Sequence, residues 1–577
     1  MNGANDTNRN SHRAFSITPS GAIILIVLVS VVLRVWGVDF GLPQTFHPDE
    51  PVVVTRALYG VATGDWNPQA FHWPSFQLYF LGFFYQIWFY IGKFAGFWEY
   101  GDPDFISFSL HSPGGFYYLG RLTTVLFGAG CVLLTYYLGR RFLGIPGALA
   151  ASAVVAFNPI MTRHSRFITP DIPGEFFFLA ALLFIDSMFT ALKKTSRANG
   201  ERSSYVRFGI YAAVMVGLGA GTKYPVGLVG VPMIIVALFA ISSLSAPRRI
   251  ALAIGLGIIS LLLFFITTPF AILDSGKFLE DISVIGRHVR AGHIGMEAQG
   301  GIWLISLRQL IRDSGWLFIF SAIIGLIPLF TVNLKRTWPL LIALIISLAG
   351  LAPLNVFSDR YLVPLIPFAA LGVGWMVDLI ILPGTKRVKH RFLMNAVSIL
   401  FLVAVISRGV MVLGNDAYRL TLPDTREAAL TWVERTIPDR SRIFIEQGGP
   451  DLNDMSLYPL VPEPYYEISE LTPLFTRFGD DKDPLDRIVE SKPQWVITSS
   501  EVRNRYMRPG ASEEYPDLVA AFREYYRLVD GYFIEEARFE PGRGIVGPSL
   551  VIYRVPEGLW DRIRLAETTV DDVLSSE

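Results

Sequence analysis

The sequence predicts an all-α polytopic membrane domain of about eleven transmembrane helices, followed by a soluble α/β domain. Three observations carry that prediction. Apolar runs of about 16–22 residues, long enough to cross a hydrocarbon core of about 30 Å, recur from Gly21 to Leu413. Of the 577 residues, 51% are hydrophobic and only 17% charged, which is too apolar for an ordinary soluble protein. Beyond Gly414 the runs stop, and about 31 acidic residues face about 19 basic ones.

Residues 1–19 are polar and carry Arg9 and Arg13, and the first apolar run ends at Arg34-Val35-Trp36 without a small-x-small cleavage pattern. This predicts a cytoplasmic N-terminus and an uncleaved first span. The membrane domain then covers 20–413, with spans near 20–38, 116–139, 144–161, 174–192, 206–221, 225–244, 250–270, 315–332, 338–355, 361–381 and 392–413. Basic clusters fix the parity: Arg140-Arg141, Lys193-Lys194 with Arg197, Arg248-Arg249, Lys335-Arg336 and Lys386-Arg387 with Lys389 all face the cytoplasm if eleven spans cross. A twelfth apolar stretch, Phe76–Trp98, would invert them. Its density of Phe, Tyr and Trp suits a membrane-surface or re-entrant helix.

The outer side of a cell membrane then holds loops 39–115, 162–173 and 271–314 and the C-terminal domain, 414–577. That domain alternates a helix-like stretch, Thr425–Thr436, with strand-like ones, Arg442–Glu446, Trp495–Ser499 and Leu550–Arg554. Net charge is zero because the acidic tail cancels a basic membrane part, an asymmetry that speaks for membrane lipids and against nucleic acid as partners. The single cysteine, Cys131, excludes an intramolecular disulfide.

The polar residues that bear chemistry gather in the outer loops. His47-Pro48-Asp49-Glu50 places two adjacent carboxylates just past the first span, where they serve either as a base near a lipid-borne substrate or as an acidic helix start. The second loop holds His164-Ser165-Arg166-Phe167-Ile168-Thr169-Pro170-Asp171, an acid beside arginines suited to gripping a phosphate. Arg121, a few residues into an apolar run, is costly there unless it snorkels or meets an anion.

With these motifs in order, the sequence resembles the protein O-mannosyltransferase and aminoarabinose-transferase superfamily, the type C glycosyltransferases of family 39 and its relatives. The resemblance rests on His47-Pro48-Asp49-Glu50; on His72-Trp73-Pro74-Ser75, similar to the family's His/Lys-Pro-Pro-Leu; on Gly120-Arg121; and on Arg166 through Asp171. Thr222-Lys223-Tyr224-Pro225 and Arg360-Tyr361-Leu362-Val363-Pro364 complete it. It implies a polyprenyl-phosphate-linked sugar donor, an inverting displacement and a hydroxyl acceptor on a protein, lipid or envelope glycan. By the same resemblance Asp49 is the general base, with Glu50 beside it and Asp171 as second acid, and Arg121 faces the donor phosphate. Trp73-Pro74 departs from the family's Pro-Pro and leaves His72 as the cation of that loop.

Transfer to a hydroxyl requires a base at the acceptor proton and positive charge at the departing phosphate. Asp49 offers the first; Arg121, Arg166, Lys223 and Arg360 offer the second. His47, His288 and His293 with the first-loop acids are candidate ligands for a divalent ion, although their spacing matches no closed metal motif. In the third loop, Arg287-His288-Val289-Arg290 precedes an amphipathic segment at 302–311 that is either an interfacial helix or a gate. A secondary transporter is the main alternative, but transporters place ionisable residues at the bilayer midplane and usually repeat their halves, and neither feature is present here.

Overall fold

The computed structural model describes residues 18–565 apart from 97–103, 107–108, 110–112, 196–201, 241–243, 292–297, 299, 382–387, 453–465 and 472–482. His293, Arg197, Lys386 and Arg387 thus lie outside the described residues, as does the side chain of His288.

Each expected apolar run is helical where it is described, but fewer than eleven are full-length spans. Seven helices are long and apolar enough to cross a membrane: Gly114–Gly139, Asp171–Lys193, Ser204–Thr222, Ala246–Thr267, Leu334–Leu351, Asp359–Ile381 and Phe392–Arg419. Ile302–Ser314 and Trp316–Thr331 make an eighth if taken as one span, bent by 114°. Gly315 at the bend has φ +85, open to glycine without steric cost. Pro19–Val35, Ile145–Ala156 and Tyr224–Phe239 are shorter apolar helices. Proline explains two of the interruptions. Pro159 restarts the chain after Ile145–Ala156, and Pro225 forces a 3-10 turn over Tyr224–Val229.

Phe76–Ala95 is a helix but not one of those apolar enough to cross. It turns Leu78, Leu81 and Tyr85 inward and leaves Phe83, Tyr90, Ile91 and Phe94 exposed, as a surface helix with a lipid-facing side would.

Three of the basic clusters meet at one end of the bundle. Arg336 pairs with Asp186, Arg141 lies 3.7 Å from the same carboxylate, and the Lys193 ammonium donates to the Lys335 carbonyl at 2.6 Å. Asp171 and Lys193 stand at opposite ends of the helix Asp171–Thr195. At 1.5 Å per residue this separates the basic end from the Asp171 end by about 33 Å, the thickness of a bilayer core.

The C-terminal domain is a five-stranded mixed sheet with β1 at Arg442–Glu446, β2 at Glu467–Leu471, β3 at Trp495–Ser499, β4 at Ile534–Phe539 and β5 at Leu550–Arg554, in the order β2-β1-β3-β5-β4. β1 runs parallel to β2 and β3, and β5 pairs antiparallel with β3 and β4. Ile443 and Ile445 pack with Ala429 and Val433 of helix Thr425–Thr436 on one face. Phe444 meets Phe522 and Tyr525 of helix Pro516–Tyr532 on the other. Burial on both faces gives β1 its run of apolar residues.

Candidate active site

Asp49 is the N-cap of the helix Glu50–Thr63, which Pro51 helps to start. The acid pair is therefore a helix start, yet the Asp49 carboxylate makes no cap bond. It turns instead to Arg360, whose Nη1 lies 2.5 Å from Oδ2, and both side chains remain partly exposed. Arg360 sits in the 3-10 turn Asp359–Leu365, 311 residues away in sequence. The Asp49 amide donates to His47 Nδ1 at 3.3 Å, and the His47 ring packs on Phe167 with centroids 4.2 Å apart. Burial holds the His47 imidazole below its ordinary range, against the upward pull of Asp49 and Glu50.

Glu50 points the other way. It is 0% exposed and grips Arg121, also 0% exposed, through two bonds of 2.9 and 2.7 Å. Arg121 Nη1 also donates to the carbonyls of Val38 and Phe40, and its guanidinium lies 4.1 Å from the centre of the Phe40 ring. Glu50 accepts in addition the Ile168 amide at 3.0 Å. The pair thus fastens the first loop to the second and to the helix Pro113–Gly139. This corrects the sequence expectation for both residues: Arg121 is the cation that neutralises Glu50, its donors are spent on protein, and neither side chain is open to a substrate in this arrangement.

Asp171 opens the helix Asp171–Thr195 and receives the Lys223 ammonium at 2.5 Å. Lys223 is extended at the break between two helices, and the absence of a side chain at Gly174 lets it approach: a Cβ there would lie 3.3 Å from Lys223 Cβ. Asp171 and Asp49 both act electrostatically on Arg360, so the two acids share one cationic neighbourhood. The second loop adds Arg166, 3% exposed, whose Nη2 donates to the Leu33 carbonyl at 2.7 Å and whose Nε has no partner among the described residues. Burial pulls this guanidinium down to about 10, with Asp416 opposing and Arg163 assisting.

Two second-loop residues hold this arrangement in place: His164, and Arg163, one of the arginines beside Asp171 read as suited to a phosphate and here committed to protein carboxylates. Arg163 bonds Asp313 at 3.3 Å, Asp359 at 2.5 Å and Asp416 at 3.0 Å, carboxylates from three separate helical segments. His164 Nε2 lies 2.9 Å from Asp359. Asp359 precedes Arg360, so this hub sets the position from which Arg360 reaches Asp49. The partner acids of Arg163 were marked in the sequence merely as carboxylates at the ends of apolar runs.

His72 is exposed and stands apart from these ion pairs; its charge is felt by Asp281, which accepts the Phe71 amide at 2.8 Å. Among the described residues no group of three or more His, Cys, Asp and Glu side chains assembles to hold a metal ion, and His47 already accepts the Asp49 amide.

Two acids, two cations and a partly unsatisfied buried arginine thus lie at one end of an apolar helical bundle. Residues 118–272 match the family model described as dolichyl-phosphate-mannose-protein mannosyltransferase. No curated protein sequence matches the chain. Among solved structures, the archaeal oligosaccharyltransferase AglB from Archaeoglobus fulgidus, in complex with an inhibitory peptide and a dolichol-phosphate, is similar with a TM-score of 0.58 at 14% identity, covering 93% of this chain and 74% of that one. ArnT from Cupriavidus metallidurans in the apo state is similar with a TM-score of 0.55 at 16% identity, over 92% of this chain and 98% of that one. The undecaprenyl-phosphate-bound form of ArnT gives 0.52 at 15% identity, over 93% and 98%.

The chain thus has the fold of AglB and ArnT. The family model matches 118–272 and not the rest of the chain.

Proposed function

We propose that this protein transfers a sugar from a polyprenyl-phosphate carrier to a hydroxyl acceptor, with Asp49 as base, on the membrane face that carries the C-terminal domain. The observation that supports this most is the ion pair of Asp49 with Arg360 beside Asp171 and Lys223. It sets a carboxylate beside two cations at the ends of apolar helices, where a lipid-linked phosphate would meet them. The relatives by fold were solved with dolichol-phosphate and undecaprenyl phosphate, which supports a lipid-borne donor here.

In this reading the donor phosphate draws Arg360 and Lys223 toward itself and so frees Asp49. The acceptor oxygen attacks the anomeric carbon as its proton passes to Asp49. The bond from that carbon to the phosphate oxygen breaks, and polyprenyl phosphate leaves with the electron pair and an added negative charge. That charge is greatest late in the step, so cations fixed beforehand stabilise the transition state more than the donor. Arg166, buried with an unpartnered Nε, adds positive charge to the same loop, near Asp416 and Arg163. Glu50 and Arg121 act as scaffold. Mannosyl donors are the first to test, because the family matched over 118–272 bears that sugar in its name.

The meeting of three basic clusters at the far end supports an outward-facing site under the positive-inside rule. A reporter fused after Glu577 is expected to be active outside the cell, and one after Gly384 inside. For donor class, purified protein is offered the same sugar on polyprenyl phosphate and on a nucleotide. Consumption of the lipid form is expected, and consumption of the nucleotide form alone would overturn the proposal.

A further inference from the structure

A cavity of about 630 Å³ lies where the membrane domain meets the C-terminal domain. Its size falls within the usual range for small-molecule sites. One wall comes from the two loops that build the site: Phe46, His47 and Phe167. The other comes from the C-terminal domain: Arg426, Glu501 and Asn504. His47 ties the cavity to the chemistry, since its Nδ1 accepts the amide of Asp49.

We infer that this cavity seats the acceptor and that the acceptor is a saccharide; the inference rests on the transfer reaction proposed above. The walls differ in the way a sugar ring differs between its faces and its rim. The membrane wall presents aromatic surface, with the His47 and Phe167 rings packed at 4.2 Å and Phe46 beside them. Such surface suits the apolar face of a pyranose. The opposite wall presents the exposed carboxylate of Glu501 and amide of Asn504, three residues apart on the helix Ser500–Met507 and so on one face. Together they accept and donate to ring hydroxyls.

The cavity's charged groups are compatible with a saccharide, and its backbone rim argues against a peptide. Arg426 lies 3.8 Å over the Phe46 ring and spends Nε and Nη2 on Asp424 at 2.8 and 2.9 Å, whereas the exposed Arg419 of the same cavity keeps its guanidinium uncommitted among the described residues and can meet a polar or charged substituent of the sugar. An extended peptide adds to an open strand edge. At this rim the Val546 amide is bonded to the Pro423 carbonyl and its carbonyl to the Thr425 amide. That edge is closed.

The test uses full-length protein in lipid nanodiscs, with binding of methyl glycosides of mannose, glucose, galactose and N-acetylglucosamine and of a Ser/Thr-containing hexapeptide read by saturation-transfer NMR. Binding of polyprenyl phosphate is measured in parallel. At least one glycoside is expected to bind saturably and to lose tenfold or more in affinity in Glu501→Gln and Asn504→Ala, both exposed, with polyprenyl phosphate binding unchanged. Saturable binding of the hexapeptide alone, of none of the probes, or of a glycoside indifferent to both substitutions would overturn the saccharide assignment. Failure of polyprenyl phosphate to bind wild-type protein would instead strike the transfer reaction, leaving the glycoside result to be read by itself.

Discussion

Asp49 and Glu50 are adjacent in the chain but belong to two different regions of the molecule. Glu50 is sealed at 0% exposure against an equally buried Arg121, with a second loop bonded to it. Asp49, one position earlier on the same helix start, reaches a partly exposed Arg360 in a neighbourhood shared with Asp171 and Lys223. A step of one residue turns a helix by about 100°. That rotation separates an ion pair that is sealed and holds loops together from one that is partly open to solvent. Two carboxylates of one motif thus differ in whether anything from outside can reach their partner cation.

The largest effect is expected on the closed side. Arg121→Ala leaves Glu50 buried without a cation and should cost about 3–5 kcal/mol of stability, visible as loss of folded protein in detergent or as an early thermal transition. If the variant folds normally and only donor use falls, Arg121 faces the phosphate after all and the comparison collapses.

A third acid sharpens the contrast. Glu446 in the C-terminal sheet is buried, accepts the Ser499 amide at 2.7 Å, and has no ion-pair partner within contact among the described residues; burial pushes it up to about 7. Its pKa is raised above the unfolded value, so the folded state holds an extra proton between about pH 4.5 and 7. Stability is full below that window and falls by up to about 3 kcal/mol as pH rises through it. Hydrogen exchange of the amides in Arg442–Glu446, corrected for intrinsic rates, should show this fall, and Glu446→Gln should flatten it. An unchanged profile in that variant would mean Glu446 is not the titrating group.

On the open side, Lys223→Ala removes one charged hydrogen-bond donor, typically worth about 1.5–3 kcal/mol. It should weaken use of the lipid donor by about 10–100-fold, chiefly in KM, while unfolding changes less than in the Arg121 variant. A stability loss as large as that of Arg121→Ala, with donor KM intact, would make Lys223 scaffold as well.

Much of the fold was legible in the sequence because each element carried its own signal. The helix Thr425–Thr436 and strands β1, β3 and β5 appear where their patterns put them. β2 and β4 gave no such signal. They are the edge strands, their inward faces are only half buried, and charges such as Glu535, Glu536 and Arg538 break the alternation. The motifs located Asp49, Asp171, Lys223, Arg166 and Arg360, and the structure gathers them at one end of the bundle. What they did not carry is partner choice. The Glu50–Arg121 pair spans 71 residues and Arg163–Asp416 spans 253, and no local periodicity reports such contacts. A buried arginine reads the same in sequence whether its anion is a substrate or a glutamate.

The account stands most directly on Asp49. Single-turnover transfer from a labelled polyprenyl-phosphate sugar, measured on wild-type protein and on Asp49→Asn alongside thermal unfolding of both, separates chemistry from folding. The account predicts a loss of about 10²–10⁴-fold in the transfer rate with polyprenyl phosphate binding and the unfolding transition preserved. A variant that transfers at close to the wild-type rate would contradict it.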